Sequence, residues 1–218
     1  MVFIMLKLFN VKFDSMPERK LDEVFTLRRI TFKDRLDWKV TCIDGRESDQ
    51  YDDENTHYIL GTIEDTIVCS VRFIEMKHPT MITGPFSPYF TDVNLPIEGF
   101  IESSRFFVEK ALARDMVGND SSLSTVLFLA MVNYARSRGY KGILTVVSRG
   151  MYIILKRSGW NITVLNQGES EKNEVIYLLN LGVDLDSQQK LITKICKKHH
   201  VQPEILDNWP LAIPDIIK

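Results

Sequence analysis

The chain has 218 residues, 44% of them hydrophobic and 26% charged, which is enough to bury one sizeable core as a single domain spanning 1–218. Its 27 basic and 29 acidic side chains leave a net charge of −2, and no long basic run or arginine-rich arm is present, which argues against nucleic acid as a partner. Cys42, Cys69 and Cys196 share no Cys-x-x-Cys spacing and no ligand spacing with the four histidines, so they are expected to be reduced thiols of a cytoplasmic protein without a metal centre.

The apolar opening from Met1 to Phe9 lacks a basic flank and a small-residue cleavage site, so it predicts a buried strand rather than a secretory leader. No apolar run approaches the roughly 20 residues that cross a bilayer, so no membrane insertion is expected. Residues 17–36 open with Pro17 and carry Leu21, Val24, Phe25, Phe32 and Leu36 at helical spacing. Arg28 falls on that apolar stripe, where a guanidinium must meet an anion or snorkel to the edge.

Residues 37–54 are rich in Asp, Glu and Gly and predict a long, functional loop. His57–Ile63 and Thr66–Ile74 predict a hairpin around Glu64 and Asp65. Residues 78–99 hold four of the eight prolines and should be irregular. A strand follows from Gly99 to Val108. A helix capped by Ser121 or Ser122 should run through Arg138 to Gly139. Then come a strand over 142–148, a short helix over 150–157 closed by Gly159, strands over 160–165 and 175–181, and a helix from about Asp186 to Lys198. This order predicts an α/β three-layer sandwich with a central mixed sheet.

Four local groups stand out: Arg28 with Phe32; Trp38; the acidic run Glu47-Ser-Asp49-Gln-Tyr-Asp52-Asp53; and Glu102-Ser-Ser-Arg105-Phe-Phe. Strand alternation puts residues 102 and 105 on opposite faces unless a bulge intervenes. A structural ion pair explains that last group as well as a catalytic role does.

Together, Arg28, Phe32, Trp38, Asp49, Asp52 and Arg72, followed by Glu102, Ser103, Ser104, Arg105 and Phe106, resemble the LuxI-type acyl-homoserine lactone synthase, or autoinducer synthase, family. The likeness continues through Leu127–Met131, Thr145–Arg149 and Lys156–Trp160 and covers nearly the whole chain from Met5. Met1 to Ile4 lie outside it, which makes Met5 an alternative start. The resemblance implies an N-acetyltransferase-like fold with a V-shaped gap between strands 100–108 and 142–148. It also implies a quorum-sensing autoinducer made by acyl transfer from acyl carrier protein to the amine of S-adenosylmethionine, with lactonisation releasing methylthioadenosine. S-adenosylmethionine is then a substrate, and no cofactor is called for.

On this reading Glu102 and Arg105 are catalytic, with Glu102 accepting the proton of an α-amine whose pKa is about 8. Arg28, Phe32, Trp38, Asp49, Asp52, Arg72 and Phe106 form the S-adenosylmethionine side, where Arg28 or Arg105 can pair with its carboxylate. The same charged residues can equally form one ion-pair cluster that shapes the pocket. Ser104, Phe128, Met131, Thr145, Val147, Met151, Ile154 and Leu155 are assigned to the acyl pocket, where the apolar members fit a core as well as a pocket. In the family a Thr at position 145 goes with 3-oxo-acyl substrates, which implies a short to medium 3-oxo chain such as 3-oxohexanoyl.

Only Gly118 lies between Glu109 and Ser122, so no glycine-rich cradle for a coenzyme A pyrophosphate is evident, which favours acyl carrier protein as donor. Arg149, Lys156 and Arg157 are assigned to docking that acidic protein, although a solvated face explains them too. The rival readings are an acetyl-coenzyme A transferase on the same fold and a noncatalytic binding module. The second leaves the spacing of the charged residues unexplained.

Overall fold

The structure is a computed structural model and describes residues 5–109, 111, 123–199 and 201–214. The anticipated cap at Ser121 or Ser122, the isolated Gly118 and the segment before Met5 lie outside the described residues.

Eight strands form one sheet: β1 (Met5–Lys12), β4 (Thr56–Ile63), β5 (Thr66–Glu75), β6 (Phe100–Val108), β7 (Gly142–Ser148), β8 (Ile162–Glu169), β9 (Val175–Leu181) and β10 (Leu211–Pro214). A small separate ribbon pairs β2 (Cys42–Ile43) with β3 (Arg46–Glu47). The spatial order in the sheet is β10-β1-β4-β5-β6-β7-β9-β8. Every neighbouring pair is antiparallel except β6 and β7. The mixed α/β sandwich expected from the sequence is therefore present.

One face of the sheet carries the main core, in which Val71, Phe73, Ile101, Ile143 and Val147 meet Leu127, Phe128 and Met131 of helix α2 (Leu123–Ser137). Leu155 of α3 (Arg149–Ser158) and Leu191, Ile192 and Ile195 of α4 (Leu185–Lys198) complete that layer. The chain closes with α5 (Pro203–Leu206) and β10. The opposite face is covered by α1 (Glu18–Arg28) and by the irregular segment 76–99. Glu64 and Asp65 both adopt positive φ at the β4–β5 hairpin, as a mirror-image two-residue turn requires.

Two expectations are amended. Helix 17–36 is not uniform: after Arg28 it continues over Arg29–Arg35 as a wider π-helix, with Leu36 N–H donating to the Thr31 carbonyl five residues back. Arg28 and Phe32, four residues apart, are both buried on the sheet side. The second amendment is β10, which no sequence pattern announced. Four residues are too few to show alternation, and their pairing with β1 is set by tertiary contact.

Asn133 ties the C-terminal segment to α2. Its Nδ2 donates to the carbonyls of Leu206 (2.7 Å) and Asn208 (3.2 Å), and its Oδ1 accepts from Gln188 Nε2 (2.8 Å). Asn133→Leu would leave the buried Leu206 carbonyl and Gln188 amide unsatisfied, so urea unfolding should show a loss of roughly 2–4 kcal/mol. A change near zero would mean that the three bonds do not hold this segment.

Candidate active site

The site is built on a group of buried charges. Arg28 is fully buried at the end of α1. Its Nε donates to Glu47 Oε2 (2.5 Å), and its Nη1 donates to Asp52 Oδ1 (2.8 Å) and the Tyr58 hydroxyl (3.2 Å). From β5, the Arg72 Nη1 donates to Asp49 Oδ1 (2.5 Å) and Asp52 Oδ1 (2.8 Å), and its Nε to Ser104 Oγ (3.1 Å). From β6, Arg105 Nη2 lies 2.9 Å from Glu47 Oε1 and 2.6 Å from Asp49 Oδ2. Tyr58 also donates to Asp52. Three guanidinium and three carboxylate groups thus neutralise one another in a nearly dry interior, the arrangement that buried charges require.

Local backbone devices make this possible. Arg105 has φ +52°, and the β5–β6 register shifts between Ser70 and Arg72, so that residues 105 and 106 together oppose Val71. The bulge sends Arg105 to the face that already holds Glu102 and Ser104, and returns Phe106 to the opposite face. The β2–β3 ribbon delivers Glu47. An Asx turn at Asp49, whose Oδ1 accepts from Tyr51 N–H (3.0 Å), shapes the loop that presents both aspartates.

Electrostatics follow from these contacts. Burial alone would lower the Arg28 pKa, but Asp52, Tyr58 and Glu47 hold it well above the usual guanidinium value. Burial would raise Asp52, yet Arg28 and Arg72 keep it well below the ordinary carboxylate range. Burial pulls Arg105 down, and the like charges of Arg28 and Arg72 add to that. Glu102 goes the other way. Burial raises its pKa, opposed by the Ile82 N–H and by Arg72. Its Oε2 accepts the Ile82 amide at 2.7 Å, its Oε1 makes no well-formed hydrogen bond among the described residues, and the neighbouring Thr80 and Ser104 hydroxyls also act to lower its pKa.

Glu102 also marks the point where the sheet opens. The parallel ladder of β6 and β7 holds only Phe100, Ile101 and Glu102 opposite Gly142, Ile143 and Leu144. The next contact is made by a side chain, with Thr145 Oγ1 donating to the Ser103 carbonyl at 2.9 Å. Beyond it the strands part, which gives the expected V between 100–108 and 142–148. Helix α3 starts where β7 ends, at the open end of that V, and Arg149, Lys156 and Arg157 are all exposed on it.

On the α2 face, Phe106 and Phe128 lie 5.2 Å apart by ring centroid, and Phe128 and Trp160 lie 5.5 Å apart. Met131, Val147 and Leu155 belong to the same core, with Met151 against it. On the other face Phe32 and Trp38 stack at 5.1 Å, and Arg105 lies 5.6 Å from the Phe32 ring centre. Trp38, on the outer side of that stack, is exposed. Its flanking residues reach the β8–β9 turn through Asp37 with Lys172 (3.0 Å) and Lys39 with Glu171 (3.2 Å).

Three sequence assignments are corrected by this geometry. Ser104, expected in the acyl pocket, bonds to Arg72 beside the charged cluster. Phe106, expected on the charged side, packs on Phe128, and the bulge at Arg105 explains the exchange. Ile154 is 45% exposed because the inward stripe of α3 runs through Met151, Leu155 and Ser158, leaving it at the solvent edge. Glu47 and Tyr58 are site residues that the sequence reading passed over. Glu47 was visible within the acidic run, two positions before Asp49, but nothing in its spacing distinguished it from a loop carboxylate.

Residues 12–191 match the family model described as autoinducer synthase. The chain belongs to the autoinducer synthase family. An acyl-homoserine-lactone synthase of Yersinia enterocolitica is 82% identical over 214 residues, spanning 98% of this chain and all of the relative. At that identity the activity carries over: this is an enzyme, an acyltransferase that makes acyl-homoserine lactones. Among solved structures, the CoA-dependent acyl-homoserine lactone synthase BjaI with SAM and isopentyl-CoA superposes with TM-score 0.78 at 22% identity, covering 90% of this chain and 92% of that one. An acyl-CoA N-acyltransferase from Pseudomonas aeruginosa gives TM-score 0.54 at 12% identity, covering 80% and 98%. The fold of the synthase is therefore N-acetyltransferase-like.

The depressed Asp52 pKa has a stability consequence. Its unfolded value is about 3.9, so its contribution is fully present above roughly pH 5 and is lost as pH falls below that. In the synthase, stability measured between pH 6 and 3 should fall more steeply than in Asp52→Asn, which removes this proton uptake. Equal slopes would show that the cluster does not hold Asp52 ionised.

Proposed function

We propose that the synthase joins a 3-oxo-acyl chain of short to medium length, carried by acyl carrier protein, to the α-amine of S-adenosylmethionine in the cytoplasm. In the first step Glu102 takes one proton from the α-ammonium, the neutral amine nitrogen attacks the thioester carbonyl, the carbonyl carbon–sulfur bond breaks, and the second proton lost by nitrogen passes to the departing thiolate of the carrier. In the second, the methionine carboxylate attacks its own γ-carbon, the carbon–sulfur bond breaks with its electron pair going to sulfur, and the lactone and methylthioadenosine separate.

The observation that carries this reading is Glu102. It is a buried carboxyl with a raised pKa and one unpartnered oxygen, standing where β6 and β7 separate. A base with a pKa raised toward that of the amine it serves transfers protons efficiently at neutral pH. Arg28 Nη2 is buried with no hydrogen bond among the described residues, Asp49 Oδ2 being 3.9 Å away, which leaves a donor for a substrate carboxylate. The Phe32–Trp38 stack suits a purine or sulfonium at the mouth. BjaI was solved with S-adenosylmethionine, which supports the same assignment here, although its CoA dependence points to a different donor. Carrier protein is favoured for this chain by the exposed basic residues of α3 and by the lone Gly118.

Glu102→Gln should lower kcat/KM by about 10²–10⁴-fold. The assay is mass spectrometry of product formed from matched acyl carrier protein and acyl-CoA donors. Full activity in the variant would sink the base assignment, and equal or better use of acyl-CoA by the wild type would sink the carrier-protein assignment.

Thr145 bears on acyl choice because its hydroxyl stands at the opening of the V and can turn from the Ser103 carbonyl to a 3-oxo group. Thr145→Val should reduce the preference for 3-oxo over unsubstituted donors by roughly tenfold, the worth of one hydrogen bond. An unchanged ratio in competition assays removes Thr145 from substrate selection.

A further inference from the structure

The Glu102 carboxylate is oriented by a turn that belongs to neither the sheet nor the ion cluster, yet touches both. Ile82, whose N–H holds Glu102 Oε2 at 2.7 Å, lies in the self-bonded stretch 80–86. Within it Gly84 N–H donates to the Thr80 carbonyl (2.9 Å) and Phe86 N–H to the Met81 carbonyl (2.9 Å). Thr83 Oγ1 accepts the Thr80 N–H at 3.0 Å.

This turn is seated against the aspartate loop. Tyr51 lies between Asp49 and Asp52, and its ring forms a small buried cluster with Ile74 and Met81. Its hydroxyl lies so close to Gly84 that a Cβ there would overlap it, and would also stand 3.1 Å from the Thr80 carbonyl oxygen. Met81 Sδ in turn lies 3.2 Å from Arg105 Nη1. Only glycine allows this approach.

We propose that the turn 80–86, locked by Tyr51 closing on Gly84, is the positioning element of Glu102: it fixes Oε2 on the Ile82 amide and so leaves Oε1 as the atom that receives the amine proton. Gly84, Tyr51 and Thr83 are positioning residues that act through Ile82. The inference rests on the reading of Glu102 as the base. It adds a physical link between the charged cluster and the group that does the proton transfer, since Tyr51 lies between Asp49 and Asp52 and its N–H is held by Asp49.

The pH profile of kcat/KM tests it. The Ile82 N–H favours the charged carboxylate, so withdrawing it raises the pKa at which Glu102 becomes active. Gly84→Ala should move the acid limb upward by about one pH unit, the size expected for one hydrogen bond to a charged group. Adding Tyr51→Phe, which removes the oxygen that the new methyl meets, should return the limb toward its wild-type position. A merely structural role for Gly84 would lower activity at all pH values alike. If Gly84→Ala does not fold, Thr83→Val reads the same limb by loosening the turn at Thr80.

An unmoved acid limb in every folded variant overturns the proposal. Failure of the base reading is distinct: Glu102→Gln would then retain wild-type activity whatever the turn variants do.

Discussion

Six charges that must cancel, with Arg28, Glu47 and Arg72 buried and Asp49, Asp52 and Arg105 partly buried, are the constraint on which the rest of this structure depends. Removing a guanidinium or a carboxylate from water costs several kcal/mol even after relaxation, and each charge here recovers that cost only through close, multiple contacts with its opposites. The residues come from α1, the β2–β3 ribbon, the loop after it, β5 and β6, so the demand for neutrality fixes the relative placement of five separate stretches of chain. The unusual backbone features of the molecule serve that demand. The left-handed Arg105 brings a third guanidinium to the cluster, and the β2–β3 ribbon brings Glu47 to it.

The same bulge separates two chemistries across one sheet. On one face lie ionised groups and the Phe32–Trp38 stack; on the other lie Phe106, Phe128, Leu155 and the apolar core. The gap beyond the short parallel ladder of β6 and β7 lies between them, with Glu102 at the last rung on the polar face and Thr145 just past it on the apolar one. Polar and apolar groups can thus meet at the gap between the strands without either entering the other's environment.

Much of this was legible in the sequence. Apolar periodicity marked β4 to β7 and the helices that follow. A charged residue in an apolar stripe marked Arg28, and the spacing of 102 and 105 made a bulge necessary for both to face one site. What could not be read was anything decided by tertiary pairing: β10 is a strand because β1 has a free edge, and Ile154 is exposed because α3 settles on a narrower stripe than its composition offers. Ser104 and Phe106 were assigned to each other's face for a related reason. Alternation fixes a strand's facing residues only until a bulge changes the parity, and the exact step at which it does so depends on the partner strand. Glu47 went unassigned because a loop carboxylate shows its role only when three guanidinium groups are seen around it.

The exact balance of the cluster also limits how such a protein can change over generations. Replacing any one of the six leaves a buried charge without its counterpart, so an altered arrangement is reached only through a weakened intermediate or by two substitutions at once. The wall formed by Phe128, Met131, Val147 and Leu155 has no such bookkeeping, and swaps of similar volume there cost under about 1.5 kcal/mol each. Change is therefore channelled: the charged cluster resists single substitutions, while the apolar wall tolerates exchanges that keep its volume.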